Sequence, residues 1–279
     1  MTDEPATLRV ITFNTAVGNP KIKTDQRDFL KLPFYREIID GTPEAAILAV
    51  QEVGPEQAKA LKRAAEDGNF RVIHNQRPGQ GNAILIPARF EVLSHRSRYY
   101  AWSQLTAIAK ALWRAARKRE KFNHRQYLEL RMWSEAKLRD RRGGRVFTVF
   151  NTHVSGDPPL RLAQMKALIR RVHGAGREGP VILAADLNTR PTDSKNPEQS
   201  RGDAAVRALF PPLEDMTPAA RDPRRGAIDW ILATGLSPVS AKQYTDDSLQ
   251  LPGLPTADVI SDHYAKEAVL RFDGAGDRP

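Results

Sequence analysis

Cysteine is absent from this 279-residue chain, which removes disulfides, thiolate metal sites and cysteine nucleophiles at once. Long apolar runs are missing as well, and none approaches the roughly 18 residues that a membrane span requires. The start, Met1-Thr2-Asp3-Glu4-Pro5, has neither the basic nor the apolar region of a signal peptide. A cytoplasmic location is therefore expected, unless a leader has been removed. Nucleotide signatures are also lacking. Gly79-Gln80-Gly81 has no third glycine and no following helix, and neither a P-loop nor a His-Glu-x-x-His zinc motif occurs. No nucleotide cofactor is expected.

What is present suffices for a globular enzyme. A hydrophobic content of 41% supports a sizeable core, and no linker divides the chain, so residues 1–279 read as one domain. The net charge of +10 is unevenly placed. Residues 89–145 hold 16 Lys and Arg against 5 Asp and Glu, whereas the remainder holds 27 against 28. One local basic surface on a neutral protein suits electrostatic docking to an anionic partner.

Apolar, β-prone runs recur along the chain, and several end in polar tips. Phe13-Asn14 follows residues 8–12, Gln51-Glu52 follows 45–50, and Thr152-His153 follows 146–151. Asp186-Leu187-Asn188 follows 181–185, and Ser261-Asp262-His263 precedes a last run over 265–272. Further strands are expected over 70–75, 82–86 and 227–233, with helices over 56–67 and 160–173 and a helical pattern over 28–40 that Pro33 disturbs. Strands alternate with helices, but hairpin-like pairs interrupt the alternation, which predicts an α/β sandwich of mixed sheets. A faint echo, Phe13-Asn14-Thr15-Ala16-Val17 against Phe150-Asn151-Thr152-His153-Val154, suggests two related halves.

The polar tips carry the chemistry. Mg²⁺ or Mn²⁺ takes carboxylate, amide and water oxygens and needs only one or two carboxylates. Glu52, helped by Asn14 and Asp262, meets that demand. Water becomes a nucleophile when a histidine near neutrality takes its proton, best when a carboxylate fixes the imidazole. His263 with Asp229 is the pair expected to do so. His153 and Asn188 then offer hydrogen bonds or positive charge to phosphoryl oxygens as charge develops.

These residues, in this order, resemble the endonuclease/exonuclease/phosphatase superfamily, whose fold is that of DNase I. The matching segments are Thr12-Phe13-Asn14, Gln51-Glu52-Val53, Gly81-Asn82-Ala83-Ile84, Asn151-Thr152-His153, Asp186-Leu187-Asn188, Ile228-Asp229-Trp230 and Ser261-Asp262-His263. Arg161 and Gln164 fit the same pattern. The resemblance implies a four-layer α/β sandwich, two mixed sheets face to face with helices outside. It also implies Mg²⁺ or Mn²⁺ held mainly by Glu52 with Asn14 and Asp262 nearby, a His263–Asp229 dyad, and Asp186 and Asn188 aligning the nucleophile or a second metal. His153 would contact the scissile phosphate, and either Asp186 or His263 would take the proton. Ala185 stands where the family often has glycine, and the signatures of its abasic-site repair branch are missing.

The segment 98–142 reads as an insertion. Residues 103–121 suit a helix with Leu105, Ile108, Leu112 and Ala116 on one face and a basic stripe of Lys110, Arg114, Arg117 and Lys121. Tyr99, Tyr100, Trp102 and Trp113 lie on or beside it. Such a surface suits a phosphate backbone with unpaired bases stacked on the rings, and Arg161 is grouped with it as a substrate contact. It also suits an anionic membrane. The expected activity is a metal-dependent phosphodiesterase acting on DNA or RNA. A phospholipid or inositol-phosphate phosphohydrolase and a non-catalytic nucleic-acid-binding module are the alternatives.

Overall fold

The computed structural model describes residues 7–17, 25–76, 81–100, 131–189, 213–217, 228–245, 261 and 263–273, plus seven positions between 105 and 117 and the isolated 204 and 208. In chain order the strands are β1 (Thr7–Asn14), β2 (Ile47–Val53), β3 (Phe70–Gln76), β4 (Gly81–Pro87), β5 (Phe90–Tyr99) and β6 (Met132–Asp140). They continue with β7 (Val146–His153), β8 (Val181–Asp186), β9 (Glu214–Asp215), β10 (Asp229–Thr234), β11 (Leu236–Tyr244) and β12 (Ala265–Phe272). Among the α-helices that accompany them are α1 (Pro33–Ile39), α2 (Pro55–Ala64) and α3 (Pro158–Gly176).

Two six-stranded sheets result, ordered β11-β12-β1-β2-β4-β3 and β5-β6-β7-β8-β10-β9. Each has one parallel pair at its centre, β1 with β2 and β7 with β8, among antiparallel neighbours. The sequence echo is thus a structural one, because both related segments form the first strand of a parallel pair. Strands such as Val181–Asp186 are buried at every position, since a strand inside a sheet covered on both faces has no side for water.

Three apolar clusters define four layers. Val10, Ile47, Ile84, Val149, Ile182, Ile231 and Leu270 pack in a cluster with members from both sheets. Phe13, Phe34, Ile38, Leu48 and Leu61 seat α1 and α2 on the outer face of the first sheet. Phe150, Met165, Leu168, Val172 and Leu183 seat α3 on the outer face of the second. This is the expected four-layer sandwich.

Several local expectations are corrected. Pro33 starts α1 instead of disturbing a helix: a 3₁₀ turn over Asp28–Lys31 precedes it, and proline at the first helical position forfeits no hydrogen bond. Part of the segment 98–142 is sheet, because Met132–Asp140 is β6, paired along its length with both β5 and β7. The edge strands β5 and β11 escaped the apolar criterion, since their burial patterns leave several positions open to solvent. No described helix is long and apolar enough to cross a membrane.

Candidate active site

The parallel pairs decide where the polar tips meet. Asn14 closes β1, Glu52 lies near the end of β2, His153 closes β7 and Asp186 closes β8. β10 runs antiparallel to β8, so its first residue, Asp229, faces Asp186 directly. β12 runs antiparallel to β1, so His263, just before it, returns to the same rim. Six segments therefore deliver side chains to one end of the sandwich.

Their contacts form one cluster. The Asn14 amide donates to Asp186 Oδ2 at 2.9 Å and reaches Glu52 Oε1 at 3.5 Å, while its Oδ1 accepts from Ala16 N at 2.9 Å. His153 lies between the two carboxylates, Nδ1 at 3.5 Å from Glu52 Oε1 and Nε2 at 3.4 Å from Asp186 Oδ2. Asn188 Nδ2 is 3.1 Å from His153 Nε2 and donates to the Val154 carbonyl at 2.9 Å. On the other side, His263 Nδ1 lies 2.8 Å from Asp229 Oδ2, and its Nε2 is 3.9 Å from Asp186 Oδ2. An imidazole held at Nδ1 by a carboxylate leaves Nε2 facing the cluster as a base.

Local backbone shape serves this convergence. The β2–β4 register shifts between Val50 and Val53, and a bulge of that kind re-aims a side chain. Among the described residues three non-glycine positions have positive φ, namely Ala16 (51°), Glu52 (55°) and Asn188 (49°), and all three lie in or beside the cluster. Such conformations cost on the order of 1–3 kcal/mol each and persist where the surroundings enforce them. Gly81, at the start of β4, is demanded by space, because a Cβ there would lie 2.1 Å from the Asn75 carbonyl oxygen.

Electrostatics single out Asp186. Burial pushes its carboxyl up to about 7, and the facing Asp229 adds to the rise against the pull of His263, the Asn14 amide and the Asn188 N–H. Two carboxylates in one dry site resist ionising together.

The donor set fits a divalent cation. Asp186, Asp229 and His263 each bring a ligand atom within 4.8 Å of the others, and Glu52 adds a carboxylate beside Asn14. Asp229 Oδ1 is buried and has no hydrogen-bond partner among the described residues, as an oxygen awaiting a ligand would be.

The other expected residues divide. Arg161 is 1% exposed, so it lies beneath the surface, donating from Nη1 to the Asn188 carbonyl at 2.7 Å and to that of Gly156 at 3.3 Å. Gln164 accepts from Ser155 N at 2.7 Å, so both side chains brace the loops that carry His153 and Asn188. Tyr100 is buried, its hydroxyl 2.9 Å from Thr152 Oγ1, and is not part of a docking surface. Leu105, Leu112 and Trp113 are exposed, and the Arg117 guanidinium stacks 4.3 Å from the Trp113 ring centre. Lys110, Arg114, Lys121 and Asp262 lie outside the described residues.

Some residues at this rim were assigned no role from sequence, although Gln51, Asn151 and Ser261 lie in segments that match the family pattern. Gln51 and Asn151 join the two sheets under the cluster through a 2.8 Å hydrogen bond. Ser261 Oγ donates to the Asn14 carbonyl at 2.7 Å and accepts from His263 N at 3.0 Å, tying the last segment to the first strand. Lys266 is buried among inward-facing apolar neighbours, and that break in the apolar pattern of β12 is the clue that could have revealed it.

A two-sheet sandwich whose strand ends assemble carboxylates, amides and a histidine–aspartate pair at one rim defines the class of DNase I-like phosphoesterases. The family model for the endonuclease/exonuclease/phosphatase family matches residues 11–263, and the chain belongs to that family. Its members are phosphoric ester hydrolases, typically dependent on a divalent metal. Among curated proteins none matches the chain by sequence. Solved structures do. An endonuclease/exonuclease/phosphatase from Bacteroides vulgatus is 18% identical with a TM-score of 0.68, covering 96% of this chain and 100% of its own. D. rerio TDP2 in complex with a single-strand DNA product is 14% identical with a TM-score of 0.68, over 95% of this chain and 99% of that one. The human Nocturnin catalytic domain with a bound sulfate anion is 20% identical with a TM-score of 0.65, over 96% and 94%.

Proposed function

We propose that this protein is a divalent-metal-dependent phosphodiesterase that cleaves nucleic acid. The observation that carries the hydrolytic reading is the His263–Asp229 pair at 2.8 Å, facing Asp186 at the rim where Asn14, Glu52, His153 and Asn188 converge. His263 Nε2 accepts the proton of the attacking water while Asp229 holds the imidazole and balances its charge. Asp186, 3.9 Å from that nitrogen, aligns the water. His153 and the Asn188 amide face the phosphoryl oxygens and meet the charge that builds on them. Glu52 would hold Mg²⁺ or Mn²⁺, which would supply Lewis-acid polarisation of a phosphoryl oxygen. Asn14 turns its NH₂ group to both carboxylates, so it orients them as a donor.

Nucleic acid is favoured by the excess of 16 cationic over 5 anionic residues in 89–145 and by the exposed Trp113 with Arg117 stacked on it. The TDP2 structure with its DNA product is consistent with that substrate class. A second reading, a phosphohydrolase docking on anionic membrane, draws on the exposed Leu105 and Leu112. Plasmid, single-stranded DNA, RNA, sphingomyelin and phosphoinositide, each with and without Mg²⁺, test both. Cleavage of nucleic acid that EDTA abolishes and His263→Ala removes is the expected result. Metal-dependent cleavage that survives His263→Ala would overturn the mechanism, and turnover of lipid alone would move the substrate to the membrane.

A further inference from the structure

Lys266 stands where the pattern of β12 calls for an apolar residue. On this strand Ala268, Leu270 and Phe272 belong to the cluster between the sheets, and Lys266 shares their parity and hence their face. It is 3% exposed. A long polar side chain in such a place is unfavourable unless bonded. A buried ammonium at this position calls for a partner.

The geometry supplies one. Lys266 Nζ donates to the backbone carbonyl of Asp229 at 2.7 Å. β10 pairs with β9 only at Leu232 and Ala233, so that ladder does not extend to Asp229. The bond therefore crosses from the first sheet to the second at the residue whose side chain holds His263. A closed ring follows: His263 Nδ1 to Asp229 Oδ2, Asp229 carbonyl to Lys266 Nζ, and three residues of chain from Lys266 back to His263. Both members of the pair are fixed to each other twice, once directly and once through Lys266.

We propose that Lys266 is a positioning residue of the hydrolytic site, locking the start of β10 against the start of β12 so that Asp229 and His263 keep their mutual geometry. This rests on the hydrolytic reading above and adds to it a residue that never touches substrate. Loss of the lock lets the pair drift, and displacements of about 1 Å in such groups cost on the order of 10²-fold in rate.

The test compares wild type, Lys266→Met, Lys266→Gln and His263→Ala on bis-para-nitrophenyl phosphate with Mn²⁺, alongside thermal melts and the low-field proton resonance of the His263–Asp229 hydrogen bond. Expected for Lys266→Met is a fall in kcat of about 10- to 100-fold, a KM within about threefold and a lost or broadened low-field signal. Lys266→Gln, which keeps a donor, should recover part of the rate and of the signal. Wild-type activity in Lys266→Met, or an intact low-field signal, overturns the proposal. So does a parallel loss of Tm and rate that Lys266→Gln fails to relieve, because that marks a merely structural lysine. Should wild type itself turn over nothing, the hydrolytic reading fails while the resonance still decides the lock.

Discussion

Asp186 spends its working life in an environment that disfavours its charge. The carboxyl is held up to about 7 against an ordinary value of 3.8, chiefly by burial. Because the folded value is the higher one, protonated Asp186 contributes stability that is complete below pH 3.8 and is lost as pH climbs through about 7. In the metal-free protein, Asp186→Asn should therefore raise Tm at pH 8 by several degrees, with the gain shrinking toward pH 4, while turnover disappears. A Tm gain independent of pH, read by melts across that range, would point to packing instead. Asp229→Asn makes a complementary test. The amide preserves shape but no longer fixes the imidazole through a carboxylate, so kcat should fall by about 10²- to 10⁴-fold with little change in substrate affinity. Single-turnover kinetics separates the two effects. At this scale the polar groups that meet at the rim were legible in sequence, because metals and bases admit few residue types. What stayed hidden were residues acting through others. Arg161 was expected at the substrate and instead holds a backbone carbonyl below it, because its place in the fold buries it.

At the scale of elements, the strands with continuous apolar runs were readable and the partly exposed ones were not. β8 is buried throughout, so hydrophobicity alone betrays it. β11 has polar, exposed positions and a proline at its register shift, features that an edge strand tolerates and a sequence pattern hides. β6 was obscured for another reason. Its Glu135 is buried but paired with Arg171 of α3 at 2.5 Å, so a charge sits where an apolar residue was anticipated. The segment between β5 and β6 was expected to present a basic stripe, and its exposed Trp113 and Arg117 keep that expectation open to experiment. Reversing Lys110, Arg114 and Arg117 to Glu should weaken binding to a single-stranded oligonucleotide. The slope of log K against log salt should also become shallower, by about 2 if each residue neutralises one phosphate. Fluorescence anisotropy over a salt series measures it, and an unchanged slope would remove this segment from the interface.

For the whole molecule, the first and last described strands are neighbours. β1 pairs with β12 from Thr7–Arg271 to Thr12–Lys266, and both strands bring residues to the site at the Thr12–Lys266 end. A chain built this way cannot assemble its site until its C-terminal strand is in place, so ending it before residue 265 should abolish folding and activity together, as circular dichroism and turnover would report. A metal that binds only the folded chain should raise Tm with concentration, by about 2.7 kcal/mol in stability at a hundredfold excess over its Kd. A Tm indifferent to Mg²⁺ and Mn²⁺ would argue against the metal site.

Sequence by itself determined the class of protein and marked the polar groups that gather at one rim. Apolar runs with acidic, amide or imidazole tips state both a buried strand and a polar rim, and their order carries the family. Tertiary structure alone decided which tips meet. Asp186 and Asp229 are 43 positions apart and become register partners only because β8 and β10 run antiparallel. The raised pKa of Asp186, the brace of Arg161 and the bond from Lys266 to Asp229 all depend on burial and on distances between separate elements. Those quantities arise from packing the whole chain, and no local stretch of residues contains them.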